Sequence, residues 1–320
     1  MVLVFAEHAG GVVNELSLQA LALARRVADG EPVEAVLVGA ADDPVTSALA
    51  EHGASTVHVA EIEGGYAPAA WGRAVAQLAG ERSPTAVLAA GSDLGTEVLA
   101  HAAAMADGAF AANCVDVTAG EPMLVTRQRW GGSVLEEARV HGPVKLLTVA
   151  PHAVTAEPAP AGAPEVRTFA PALDDADVVA QVVERVDTST GGISLGDAPV
   201  VVSGGRGVGG AEGFAALEEL AGELGGVVGC SRAVTIAGWR PHTDQVGQTG
   251  TKIAPDIYIA CGISGATQHM AGCKGAKKVL AINDDPEAAI LANADYAVIG
   301  DLAEIVPAIT AEIRRARSGR

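Results

Sequence analysis

Apolar positions along the first half of the chain switch between continuous blocks and helical spacing. Residues 2–7 (VLVFAE) form a short apolar run that predicts a buried strand, and residues 14–29 (NELSLQALALARRVAD) repeat apolar positions at helical spacing. The alternation continues with a strand at 33–39, a helix over 45–52, a strand at 56–60, a helix over 68–80, a strand at 85–92 and a helix over 95–106. Such alternation predicts a parallel sheet covered by helices. Beyond residue 106 the pattern changes. PMLVTRQRW (122–130), VLEEARV (134–140) and VKLLTVAP (144–151) read as antiparallel strands around a glycine turn at Gly131 and Gly132. The proline- and alanine-rich stretch 156–175 reads as extended chain.

The alternation restarts at PVVVSGGRGVGG (199–210), a strand entering a glycine-rich turn, with a helix over 211–224. Strands ending in turns follow at 227–232 (VVGCSR), 255–265 (PDIYIACGISG) and 277–283 (KKVLAIN), with a long polar loop at 239–252. A helix over 286–292, the strand YAVIG and a closing helix over 302–317 complete the chain. The polar segment 188–199 (TSTGGISLGDAP) separates the halves, which gives an amino-terminal α/β domain over 1–190 and a second over 195–320. Four or five parallel strands with polar turns at their carboxyl ends describe a nucleotide-binding sheet.

Composition narrows the picture. The 320 residues suit two domains. A formal net charge of -18 argues against nucleic acid as a partner, because phosphate-backbone binding needs a basic face. Hydrophobic residues make up 49% but aromatics only 3%, so the core is built from small aliphatic side chains among 39 glycines. The acidity is uneven: residues 1–190 carry a net -15 and residues 191–320 only -3, which directs the search for an anionic ligand to the second half. Cys114, Cys230, Cys261 and Cys273 form no CxxC pair and have no histidines at metal spacing, so they read as reduced thiols in a cytoplasmic protein with no metal site. No stretch of ~18 apolar residues predicts membrane insertion, and the opening MVLVFAEHAGG does not read as a targeting segment.

Candidate chemistry gathers at the strand ends of the second half. Gly205-Arg206-Gly207-Val208-Gly209-Gly210 satisfies G-x-G-x-x-G after a strand, where glycines let backbone amides approach a pyrophosphate. A tight glycine turn also arises without a ligand. A dinucleotide dehydrogenase carries a carboxylate about 20 residues further on for the ribose hydroxyls, but here that strand ends in Gly229-Cys230-Ser231-Arg232. Arg232 could instead read a 2′-phosphate, which leaves a phosphorylated nicotinamide cofactor open. The loop 239–252 and the run Cys261 to His269 have compositions suited to wrapping a polar ligand, while Asn283 or Asp284 could simply cap the next helix. His8, His52, His58, His101, His141, His152 and His242 are scattered and read as structural or surface residues, and no nucleophile stands with a general base.

Together the segments SGGRG, GCSRA, QVGQTG, CGISGATQH, AINDDPEA and ADYAVIGDL, in this order and spacing over 199–310, resemble the FAD-binding domain of electron transfer flavoprotein α subunits. The amino-terminal domain, opening VFAEH, is similar to that subunit's first, nucleotide α-hydrolase-like domain. The resemblance implies an α/β protein of two mainly parallel sheets flanked by helices, the second a Rossmann-like FAD-binding fold. It implies one FAD per heterodimer with a β subunit that completes the cleft and carries AMP. The protein would then be an electron carrier without its own substrate turnover, passing electrons in fatty acid β-oxidation from acyl-CoA dehydrogenases to a membrane quinone oxidoreductase. By the same resemblance Thr249 reaches flavin N5, His269 lies by the C2 carbonyl, and Arg232 sets its guanidinium against the isoalloxazine, where a cation favours the reduced flavin. Ser231, Gln248 and Ser264 hold the pyrophosphate and ribityl region, Arg206 lines the cleft, and Asn283 and Asp301 approach the adenosine. Val246, Gly247, Gly265, Ala266, Thr267, Gln268 and Leu302 complete the matched cofactor positions. The glycine turn then serves FAD, and Gly-Val-Gly-Gly after Arg206, in place of bulkier residues, loosens it. The alternative of a different class is an NADP-dependent oxidoreductase or a regulatory nucleotide-binding protein.

Overall fold

A computed structural model describes residues 1–182 and 193–318, and the chain divides into two compact units, Met1–Val186 and Asp187–Arg320. Much of the polar segment 188–199 lies outside the described residues.

The first unit opens with strand β1 (Val2–Phe5), the short pair β2 (His8–Ala9) and β3 (Val12–Val13), and helix α1 (Glu15–Ala28). β4 (Val33–Val38), α2 (Asp43–Glu51), β5 (Ala54–Ala60), α3 (Pro68–Arg82), β6 (Ala86–Ala90) and α4 (Asp93–Met105) continue the alternation. β7 (Ala109–Thr118), β8 (Met123–Arg129), β9 (Val134–Val140), β10 (Lys145–Val149) and β11 (Glu165–Phe169) close the unit. Nine strands share one sheet in the order β11-β5-β4-β1-β6-β10-β7-β8-β9. Those from β11 to β7 run parallel, and β8 and β9 add antiparallel at one edge. Side chains alternate across a strand, so Val2 and Val4 enter one core with Leu21 of α1, while Leu3 and Phe5 enter another with Leu78 and Val98 of α3 and α4. Helix starts follow capping chemistry: Asn14 accepts from the Leu16 amide at 2.9 Å and Ser92 from the Gly95 amide at 2.8 Å.

Three features depart from the sequence pattern. Residues 144–151 are not part of an antiparallel meander, because β10 lies parallel between β6 and β7. All five of its residues are buried, as in a strand covered on both faces. The ten-residue strand β7 was not foreseen, since its mixed exposure obscures the strand period. Finally, the extended stretch 156–175 includes β11, which pairs with β5.

The second unit contains β12 (Val200–Gly204), α5 (Phe214–Leu224), β13 (Val227–Cys230), α6 (Arg232–Ile236), β14 (Ile257–Cys261), α7 (Thr267–Cys273), β15 (Val279–Asn283), β16 (Tyr296–Ile299) and α8 (Leu302–Ser318). Its five strands are all parallel, in the order β13-β12-β14-β15-β16. Val202 and Ile259 pack on one face with Leu217 and Val306, while Val201, Tyr258 and Ala260 pack on the other with Ile253 and Ile290. The helix expected at 211–224 starts only at Phe214, after a 3-10 turn at Arg206–Val208. The helix expected at 286–292 is instead a 3-10 turn at Ala289–Asn293, because the Ile290 amide bonds the Ser264 carbonyl of the neighbouring turn at 3.2 Å.

Candidate functional site

In the second sheet the chain passes from β12 outward to β13, then crosses back to β14 on the other side. Loops leaving a doubly wound sheet on opposite sides of such a point open a crevice at the carboxyl ends of the strands. The two loops approach backbone to backbone here. A Cβ placed on Gly205 would lie 2.1 Å from the Gly262 carbonyl oxygen, and one on Gly207 2.7 Å from the Gly262 Cα. The Gly207 amide donates to the Gly262 carbonyl at 3.1 Å. These two glycines of the G-x-G-x-x-G run are therefore required for loop packing in addition to any approach to a phosphate.

A cavity of about 480 Å³ occupies this crevice, within the range of small-molecule sites. Arg206 enters from the β12 turn, Ser231 and Arg232 from the end of β13, and Asn283 from the end of β15. Val246, Gly247, Gln248 and Thr249 enter from the long loop, and Ser264, Ala266, Gln268 and His269 from the segment after β14. The loop is seated on that segment: the Gln248 amide bonds the Gln268 carbonyl at 2.7 Å, the Ile253 amide bonds the Gly272 carbonyl at 2.8 Å, and a Cβ on Gly272 would strike the Gly247 amide at 2.3 Å. The remaining expected positions, Gly265, Thr267, Asp301 and Leu302, do not line the cavity. Leu302 packs over Gly262, Asp301 caps α8 through the Ala303 amide at 2.8 Å, and Gly265 takes φ +83 with Ile290 against it.

Two charge features stand out. Arg206 and Arg232 make no ion pair among the described residues, whereas Arg240 of the long loop is bound by Glu218 and Asp244. Asp284 and Asp285 also line the cavity. The sequence singled out neither as a ligand residue. Asn283, by contrast, is committed to structure: its amide nitrogen donates to the Ile263 carbonyl at 2.9 Å and its oxygen accepts from the Asp285 amide at 3.1 Å.

Sequence reasoning also missed Gln245, which is only 2% exposed. Its Oε1 accepts from the Thr235 hydroxyl at 2.7 Å, and its Nε2 donates to Thr249 Oγ1 at 3.0 Å. Thr249 therefore accepts from Gln245 and keeps its own proton for an acceptor in the cavity. The first glutamine of QVGQTG was the available signal, but its burial was not legible. His269 is buried, and burial pulls its imidazole down to about 4, so it is neutral at pH 7.

The crossing point of the first sheet, between β1 and β6, is filled differently. Glu7 follows β1, and its carboxylate accepts from the Ser92 hydroxyl at the start of α4 at 2.5 Å. A Cβ on Gly95 would lie 2.9 Å from that carboxylate. Burial raises the Glu7 pKa, against the hydrogen bond from Ser92.

The fold and cleft together define a doubly wound nucleotide-binding unit joined in one chain to a second α/β unit. The Electron transfer flavoprotein FAD-binding domain family matches residues 194–274, and the Electron transfer flavoprotein domain family matches residues 2–174. The Electron transfer flavoprotein subunit alpha of Mycobacterium leprae is 38% identical, covering 99% of both chains. The subunit of the same name from Thermoanaerobacterium thermosaccharolyticum is 34% identical over 98% of this chain and 97% of its own. Protein FixB of Clostridium saccharobutylicum is 35% identical over 97% of this chain and 95% of its own. The chain belongs to the electron transfer flavoprotein family, on the side of its α subunits.

Proposed function

We propose that the second unit, with the domain division 1–190 and 195–320, holds one FAD in the cleft between β12 and β14 and serves as an electron carrier without turning over a substrate. The observation that carries this reading is the pairing of two uncompensated guanidinium groups with a hydroxyl whose proton is free, all on one cavity. FAD, when bound, supplies one- and two-electron redox chemistry. Arg206 and Arg232 suit its diphosphate and the charge that gathers on a reduced ring, and Ser231, Gln248 and Ser264 suit the pyrophosphate and ribityl chain. Thr249 presents a hydroxyl donor that Gln245 fixes from behind. His269 contributes a neutral imidazole edge. Asp284 is an acceptor at the end of β15 suited to ribose hydroxyls, beside the expected adenosine positions Asn283 and Asp301.

In this reading a β subunit completes the cleft and carries AMP. Acyl-CoA dehydrogenases donate electrons and a membrane quinone oxidoreductase accepts them, with the protein itself cytoplasmic. Among the described residues no helix is long and apolar enough to cross a membrane. The test is co-purification followed by a count of flavin and AMP. Yellow protein with an absorbance band at about 450 nm and one FAD per heterodimer supports the reading. Colourless protein that binds a phosphorylated nicotinamide cofactor refutes it.

A further inference from the structure

The long loop carries an arginine that does not line the cavity and is bound from three sides. Arg240 donates through Nε to Asp244 at 2.8 Å and through Nη1 to Glu218 of α5. Its guanidinium carbon lies over the Phe214 ring, 5.4 Å from the ring centre. The side chains of Arg240 and Asp244 are each only 22% exposed. An isolated exposed ion pair contributes little. This one is partly buried, joins two carboxylates from different segments, and lays a planar cation on a ring, an arrangement that an ammonium group does not reproduce.

The contacts join two walls of the cleft. Phe214 is buried against the end of β12, where a Cβ on Gly204 would lie 2.5 Å from its ring, and the Arg206 turn starts at the next residue. Glu218 stands one helical turn further along α5. On the other side, the Arg240–Asp244 pair spans the 3-10 turn His242–Asp244. That turn is closed by the Asp244 amide on the Pro241 carbonyl at 3.1 Å and the Gln245 amide on the His242 carbonyl at 3.0 Å. The chain leaves it as Gln245, whose Nε2 holds Thr249, and Val246, whose amide bonds the Cys230 carbonyl at the end of β13 at 2.9 Å. Arg240 therefore lies where α5 meets the start of the segment that presents Gln248 and Thr249 to the cavity.

We propose that Arg240 is a positioning residue for the cleft: it staples the loop 239–252 to α5, which fixes Gln245 and, through it, the direction of the Thr249 hydroxyl. The effect on a flavin rests on the reading of the cleft given above, but the staple belongs to this chain alone.

Amide hydrogen exchange on the full-length protein as isolated tests the staple. Arg240→Met keeps the stem and removes the charge and the plane. It should speed exchange about tenfold at the Val246 amide and at the Thr251 amide, the joint effect of a lost ring contact and a lost partly exposed pair. The Thr251 amide is bonded to the Gln245 carbonyl at 2.7 Å, so both report the loop, and the amides of β14 should keep their rates. Arg240→Lys, which can hold a carboxylate but not lie flat on the ring, should recover part of the protection. Glu218→Gln, at a half-exposed position on α5, should act in the same direction by less, and it decides the matter if Arg240→Met does not fold. Unchanged exchange at Val246 and Thr251, or equal acceleration in the loop and in β14, overturns the proposal. In the FAD-loaded protein Arg240→Met should shift the one-electron equilibrium in the direction of Thr249→Ala, and the two substitutions together should match Thr249→Ala alone. A residue that only stabilised the fold would leave that equilibrium in place, so an unmoved equilibrium beside faster loop exchange overturns the link to Thr249. Protein that takes up no FAD overturns the flavin reading instead, and the exchange rates still decide the staple.

Discussion

Thr249 and His269 occupy opposite kinds of environment on one cavity, and their expected effects differ in origin. Thr249 is exposed and held by a single hydrogen bond from Gln245, so its contribution is one oriented O–H group. His269 is buried and uncharged at neutral pH, so its contribution does not vary with pH above about 5. Thr249→Ala and His269→Ala should each lower the flavin potential, by ~59 mV for each tenfold loss in the one-electron equilibrium. Reductive titration checks both, and potentials that stay in place would remove these residues from the tuning role. Gln245→Leu should act through Thr249: FAD remains bound, the potential falls toward that of Thr249→Ala, and the double variant adds little more. A fully additive double variant would show instead that Gln245 and Thr249 act independently.

At the scale of elements, the first sheet contains an ion cluster that ties β4, β5 and α3. Glu34 on β4 accepts from Arg82 of α3 at 2.5 Å and meets His58 of β5 at 2.7 Å. Burial alone would raise the Glu34 pKa, but the hydrogen bonds from Arg82 and His58 outweigh it and hold the carboxyl below its usual 4.5. A depressed carboxyl contributes stability that is present above its unfolded value, about 4.3, and lost as pH falls through the folded value. Acid unfolding should therefore steepen below about pH 4, and Glu34→Gln should flatten that slope. Arg82→Met should cost about 1–3 kcal/mol, below the cost for a fully buried pair because Arg82 is partly exposed and His58 remains. Denaturant titrations between pH 3 and 7 measure both. The same scale shows where the sequence pattern loses information. β10 (KLLTV) and the opening of β8 (MLVT) are similar in composition, yet only β10 is fully buried. Whether a strand runs parallel or antiparallel depends on which edge its connection reaches, and local periodicity carries no record of that.

For the whole chain, two similar sheets face the same choice at their crossing points and settle it differently. The first closes its crevice with Glu7 and Ser92, and the second leaves its own lined by unpaired arginines and glycine backbone. Ligand protection should follow that division. Hydrogen exchange with and without FAD should slow the turns after β12 to β15 and the loop 239–252, with no change at residues 2–13 or 91–96. A ligand at 100 times its dissociation constant adds about 2.7 kcal/mol to the part that binds it. Thermal scans should therefore show one transition raised by FAD and another left in place; two transitions raised equally would count against a site confined to the second unit. The amino-acid sequence by itself determined the strand and helix alternation and the glycine-rich turns, because periodicity and turn chemistry are local. Its uneven charge directs the search for an anionic ligand to the second half, where a cavity is lined by Arg206 and Arg232. Tertiary structure alone decided that β10 enters the middle of its sheet, that Gln245 lies buried behind Thr249, and that Asn283 and Asp301 spend their side chains on backbone. It also decided that His269 meets Tyr258. Each of these depends on which distant segments the sheet order brings together, and that order is set by the packing of both sheet faces at once.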